Sequence, residues 1–267
     1  SIVKVHIHTK TPANIIAFAQ RFGEFLSVKM ENMALQHNHV VQNKRKKISI
    51  IAIANGDGIV ETFKELGASI VINGGQTMNT STEEIVEAIK RANADNVIIL
   101  PNNSNIVLAC EQAKELCNQS NVYVIKTTSV QEGYYGLSLM VPSDNPEDLV
   151  SQISEGSQMI LSGFIAKSIK DFKCRDHKIG KVGEYLEYFN GEIISSKPLR
   201  KEALLELVDS IDDIEEKEIM SIFYGQEVDE DEINEIKEIL ENKYPYLEIG
   251  YINGKQDVYD YLIGVNI

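Results

Sequence analysis

From residue 48 to residue 125 the chain repeats one unit: a short apolar run, a turn, then a segment with helical spacing. The runs 48–54, 69–72, 96–100 and 122–125 read as strands, and 59–66, 82–92 and 106–116 as the helices between them. Strands separated by whole helices cannot pair as hairpins. They must cross over into a parallel sheet with helices packed on its faces. This defines the fold class as α/β, with a parallel sheet in a first lobe spanning 48–143.

Ligands of an open parallel sheet bind outside the carboxyl ends of its strands, and here those ends are alike. They read Asn55-Gly56-Asp57-Gly58, Asn73-Gly74-Gly75-Gln76-Thr77-Met78-Asn79, Pro101-Asn102-Asn103-Ser104-Asn105 and Lys126-Thr127-Thr128-Ser129. Four adjacent loops of amides, hydroxyls and glycine backbone predict one polar crevice. The first three open into helix N-termini, whose unpaired N–H groups favour a carboxylate or phosphate. The candidate ligand-binding residues are Gly56, Asp57, Gly58, Gly74, Gly75, Gln76, Thr77, Asn79, Asn102, Asn103, Asn105, Thr127 and Thr128. The same residue types also serve tight turns, and Ser81-Thr82-Glu83-Glu84 is a capping box that needs no ligand. The loops hold no His, Cys or Glu. Asp57 and Lys126 are their ionisable groups, too few for the titratable pair that acid–base catalysis wants. The crevice therefore reads as built to hold a molecule rather than convert it, and an enzyme using Asp57 and Lys126 is the weaker alternative.

Nucleotide signatures are incomplete. Gly56-Asp57-Gly58-Ile59-Val60-Glu61 approaches a dinucleotide fingerprint, but Glu61 replaces the third glycine and Asn73, not an acid, ends the second strand. No Walker A sequence or Gly-x-Ser-x-Gly elbow is present, so no cofactor is expected in this chain.

The flanks differ from the repeat. Residues 2–8 alternate as a strand, Pro12 sits at a first helical position, 14–22 has helical spacing, and 25–33 reads as a strand. Such a strand–helix–strand piece, 1–43, is a partial α+β domain that cannot bury both faces of a two-stranded sheet, which predicts self-association. A basic linker, 44–47, follows. A second α/β lobe, 144–267, carries expected helices at 146–161, 200–208 and 230–242. Its expected strands are 163–173, 185–194 (turning at Asn190-Gly191), 219–224, 247–252 and 259–265.

The formal charge of −14 is uneven: residues 202–241 hold 16 acids and two lysines, leaving 24 acids and 24 bases elsewhere. That excludes the broad basic surface nucleic-acid binding needs and places the acids on solvated helix faces. One basic stretch, 167–181, has six Lys/Arg and two acids. No apolar run approaches membrane-spanning length, no leader pattern opens the sequence, and three unpatterned cysteines (Cys110, Cys117, Cys174) read as buried thiols of a reducing cytoplasm. His6 and His8 face the same way on a strand and could share a metal, but a zinc site needs further ligands. His37 and His39 form a second pair.

The stretches VKVHIHTKTP (3–12), ENMALQH (31–37), GGQTMNTSTEEI (74–85) and LPNNSNI (100–106) resemble the C-terminal part of the bacterial fatty acid kinase catalytic subunit. KTTSVQEG (126–133) and GYINGKQDVYDYLIGV (250–265) fit more loosely. Thr80 stands where that family usually has proline, and Lys255-Gln256-Asp257 replaces a Gly-Gln-Pro-like turn. The resemblance implies a two-lobed fold similar to DegV proteins and the dihydroxyacetone-binding kinase subunit. It also implies an upstream DhaL-type domain holding ATP and Mg²⁺. The intact enzyme would phosphorylate a fatty acid presented by a DegV-like carrier, for phospholipid synthesis. This chain would then dimerise and dock the carrier, without catalysing by itself. By the same resemblance, His6 and His8 would join an upstream cysteine in a catalytic or metal site completed outside this sequence. The alternative function is a binding protein holding a fatty acid or phosphorylated metabolite in the crevice.

Overall fold

The computed structural model describes residues 5, 7, 9–30, 44–74 and 79–267, and divides into two compact units, 1–44 and 45–267. In the first, α1 (Pro12–Ala19) starts on Pro12, whose missing N–H costs nothing at a helix start. Residues 25–30 do not form the expected strand. Phe25, Leu26, Val28 and Met30 are all exposed, and among the described residues no partner strand supplies the ladder a strand requires. Residues 31–33 of that expectation, and all of 2–8 except Val5 and Ile7, lie outside the described residues.

The second unit is built on two sheets. The elements β1 (Lys46–Ala54), α2 (Asp57–Glu65), β2 (Ile70–Asn73), α3 (Thr82–Ala92), β3 (Ala94–Leu100), α4 (Ser104–Leu116) and β4 (Asn121–Val124) form a parallel sheet in the order β2-β1-β3-β4. Alternation divides β1 and β3 between two cores. Ile51, Ile53, Val97 and Ile99 meet Ile85, Ile89 and Ile106 of α3 and α4. Ile50, Ala52, Ile98 and Leu100 point the opposite way.

Two helices follow: α5 (Val130–Leu139) and α6 (Pro146–Ser157). Helix α5 is not among the expected elements, because Gly133 and Gly136 weaken its helical pattern. Both glycines serve close packing. A Cβ on Gly133 would lie 2.1 Å from Asn102 Oδ1, and one on Gly136 would lie 2.6 Å from Ile153 O of α6. Helix α6 ends at Ser157, short of the expected 161, because Ile160 and Leu161 already pair with Asn266 and Val265 in the second sheet.

That sheet comprises β5 (Ile160–Lys167), β8 (Tyr185–Phe189), β9 (Glu192–Lys197), β10 (Ile219–Tyr224), β11 (Glu248–Asn253) and β12 (Tyr259–Asn266), in the order β11-β10-β12-β5-β8-β9. Only the β10–β11 pair is parallel. The expected strand 163–173 is broken after Lys167. The basic stretch instead closes a small hairpin, β6 (Phe172–Lys173) and β7 (Ile179–Gly180). Helices α7 (Arg200–Asp209) and α8 (Glu230–Lys243) cover one face through Leu204, Leu207, Ile233 and Ile236, against Ile222, Tyr261 and Ile263. On the other face, Phe223 and Leu262 enter the same cluster as Ile50, Ala52, Ile98 and Leu100. The two sheets thus share one core.

The acidic segment is not wholly solvated. Glu232 takes three hydrogen bonds of 2.9–3.1 Å from the Arg200 guanidinium and one from the Tyr261 hydroxyl, joining α7, α8 and β12. A second acid is stranger. Glu187, in the middle of β8, is fully buried, and neither carboxylate oxygen has a partner. Burial above all, with Glu206 adding to it and Lys197 opposing, pushes its carboxyl up to about 8. All three cysteines are free; Cys110 and Cys174 are buried, while Cys117 is only partly so.

Candidate functional site

Strand order β2-β1-β3-β4 reverses direction between β1 and β3, so the crevice of an open α/β sheet should lie beyond Ala54 and Leu100. A cavity of about 570 Å³ opens there. Its first wall is Asn55, Gly74, Asn102, Asn103, Asn105 and Thr128, as the sequence anticipates. Its second wall comes from the other sheet: Ser162, Gly163 and Phe164 of β5, Tyr188 of β8, the Asn190-Gly191 turn, and Gln256, Asp257, Tyr259 and Leu262 near β12. Nothing local in the sequence marks these residues, since only tertiary folding brings them across.

Inside the loops, many polar groups serve the protein itself. Asn102 adopts φ +54, is buried, and donates from Nδ2 to Ile53 O at 3.1 Å. Its N–H donates to Thr127 Oγ1 at 3.0 Å, and the Thr127 hydroxyl donates back to Asn102 Oδ1 at 2.9 Å. These two residues lock the ends of β1, β3 and β4 together. Gly56 and Gly58 are closed by the loop after β11: the Gly58 and Ile59 N–H groups donate to Gly254 O at 3.0 and 3.1 Å. Two of the N–H groups anticipated there for an anion, those of Gly58 and Ile59, are therefore occupied. Asn103 caps α4, accepting from Asn105 N–H at 2.9 Å. Ser81 and Glu84 complete the anticipated capping box on α3.

Asp57 and Lys126 do not line the cavity, contrary to expectation; Asp57 is exposed, and Lys126 faces Glu111 at 3.7 Å. The acids that do line it are Glu132 and Asp257. Glu132 accepts from Thr128 N–H at 2.6 Å and Thr128 Oγ1 at 2.8 Å, while Ser129 Oγ accepts from Glu132 N–H at 3.2 Å. Ser129-x-x-Glu132 has the spacing of a capping box, and that spacing is the sequence signal that could have placed Glu132 here. Asp257 Oδ1 accepts from Asn55 Nδ2 at 2.7 Å. Asn79 is exposed. His6, His8, Gly75, Gln76 and Thr77 lie outside the described residues. Among the described residues, no cluster of three or more His, Cys, Asp or Glu could hold a metal, and no helix is long and apolar enough to cross a membrane.

This fold, a parallel sheet and a mixed sheet sharing one core, matches that of DegV proteins. DegV of Bacillus subtilis, described as a fatty acid binding protein, superposes with a TM-score of 0.56 at 13% identity, covering 83% of this chain and 100% of that one. The dihydroxyacetone kinase of C. freundii superposes with a TM-score of 0.53 at 10% identity, covering 100% of this chain and 57% of that one. These likenesses establish the fold. The family follows from sequence: a family model for the C-terminal region of FakA-like fatty acid kinases matches residues 49–266, and one for their middle domain matches 1–40. The chain belongs to the FakA-like fatty acid kinase family. Protein YloV of Bacillus subtilis is 36% identical over 274 residues, 98% of this chain and 49% of YloV. A protein of Staphylococcus haemolyticus is 36% identical over 277 residues, 99% of this chain and 50% of its own length. The chain spans about half the length of these relatives.

Proposed function

We propose that this chain is the non-nucleotide-binding half of a fatty-acid-kinase-like protein. It dimerises and docks a DegV-like acyl carrier, while a DhaL-type domain binds ATP and Mg²⁺ and phosphorylates the acyl group. The observation that carries this reading is the family match over 49–266 in a unit whose helix N-termini at the crevice are capped by the chain's own oxygens. A triphosphate cradled at any of these helix N-termini would have to compete with those resident oxygens. His6 and His8 would contribute to a site completed by a cysteine elsewhere in the longer protein.

Two measurements test this. The 267-residue chain with ATP, Mg²⁺, fatty acid and carrier is expected to give no acyl phosphate; turnover above a no-protein control would refute the division of labour. The same chain should bind the carrier and inhibit the full-length enzyme competitively against it, and absence of competition would refute docking.

The cavity supports a second reading, that the crevice itself holds a small molecule. A volume of about 570 Å³ falls within the roughly 300–1,000 Å³ usual for such sites.

A further inference from the structure

Resting on that second reading, we infer that the crevice takes an uncharged amphiphile, an apolar chain carrying hydroxyl groups, and turns away carboxylates and phosphates. Recognition of an anion needs a cation or unpaired N–H groups. The described lining contains no Lys, Arg or His, and residues 75–78, next in the chain after Gly74, carry no charge.

At each helix N-terminus at this end of the sheet a resident oxygen already meets at least one of the free donors. Gly254 O sits on α2, Ser81 Oγ on α3, Asn103 Oδ1 on α4 and Ser129 Oγ on α5. Two carboxylates, Glu132 and Asp257, line the cavity and oppose any further negative charge brought into a partly desolvated space. Their capacity for a cation is already partly taken up by the chain's own donors. Both Glu132 oxygens are engaged by Thr128, and Asp257 Oδ1 by Asn55. What remains is an apolar floor of Ile53, Ile59, Phe164 and Leu262 beneath neutral groups, among them the Ser129–Ser162 hydroxyl pair at 2.8 Å. Hydroxyls and amides both donate and accept, which suits a neutral polar head.

The test compares three ligands of one chain length on the delipidated 267-residue chain at pH 8 and low salt: 1-monolauroylglycerol, laurate and dodecylammonium, by titration calorimetry. Monolauroylglycerol is expected to bind at least about tenfold more tightly than either ion. Asp257→Asn should narrow the gap to laurate, and Ser162→Phe, which fills the cavity, should abolish binding. Equal or tighter binding of laurate or dodecylammonium overturns the charge assignment while leaving the crevice a ligand site. Binding of none of the three, or binding that survives Ser162→Phe, overturns the crevice itself. Should Ser162→Phe not fold, amide hydrogen exchange on the parent chain decides location: monolauroylglycerol must protect residues 103–105 and 128–132, and protection elsewhere alone refutes the assignment.

Discussion

Glu187→Gln is expected to leave stability nearly unchanged at pH 4.5 and to raise it by several kcal/mol at pH 8.5. The parent carboxyl has an ordinary value of 4.5 when exposed and about 8 in the fold. Between those two pH values the folded chain holds a proton that the unfolded chain has released. Rising pH therefore favours unfolding, and the contribution is lost progressively until the folded value is passed. A difference of this size corresponds to about 4–5 kcal/mol at 1.36 kcal/mol per unit, an upper bound for a real interior. The groups around the carboxyl fit this sign. Glu206 of α7 raises its pKa, and Lys197 of β9, which would favour the ionised form, is held in an ion pair with Glu206. Glutamine keeps the shape and cannot ionise. Urea unfolding of both proteins at the two pH values isolates the effect, since every other titrating group is common to both. Parallel pH profiles would show that Glu187 is not the buried neutral acid described.

Gly58→Ala is expected to be the most damaging single-methyl change at the crevice. Its new Cβ would lie 1.8 Å from Asn253 O and 2.8 Å from the carbonyl carbon, so the 253–254 backbone must retreat. Retreat also withdraws Gly254 O from the Gly58 and Ile59 N–H groups. Overpacking of about 1–3 kcal/mol plus two weakened hydrogen bonds of about 0.5–1.5 kcal/mol each gives a loss of roughly 2–6 kcal/mol. Gly250→Ala is the control, because the nearest atom to its added Cβ is Met220 O at 3.9 Å. Its effect should stay within about 1 kcal/mol. Equal losses for the two variants would mean that the contact between the first βα turn and the β11 loop contributes nothing.

Particular elements show how far the sequence is legible. Helix α3 is readable to the residue, because a capping box opens it and Asn93 closes it in a left-handed conformation. Strand β10 is equally clear from an apolar run that Ser221 alone interrupts. Helix α5 is hidden by Gly133 and Gly136, which packing claims against propensity. At the crevice, the first wall is readable because each strand end carries its own turn residues. Phe164, Tyr188 and Leu262 are not, since β5, β8 and β12 bear ordinary strand patterns and only the sheet order brings them to the cavity. Gly56 and Gly58 mislead for a related reason. A glycine that admits a phosphate and one that admits another stretch of backbone look identical in one dimension.

The core common to both sheets has a consequence for how this region moves. Phe223 and Leu262 sit among Ile50, Ala52, Ile98 and Leu100, so parting the sheets would expose that whole cluster to water at once. A clamshell hinge between lobes is therefore closed to this molecule as a low-energy motion. A guest of the crevice would have to enter by small displacements of the rim, the Asn190-Gly191 turn and the 103–105 loop, and the two sheets are expected to melt together as one cooperative unit.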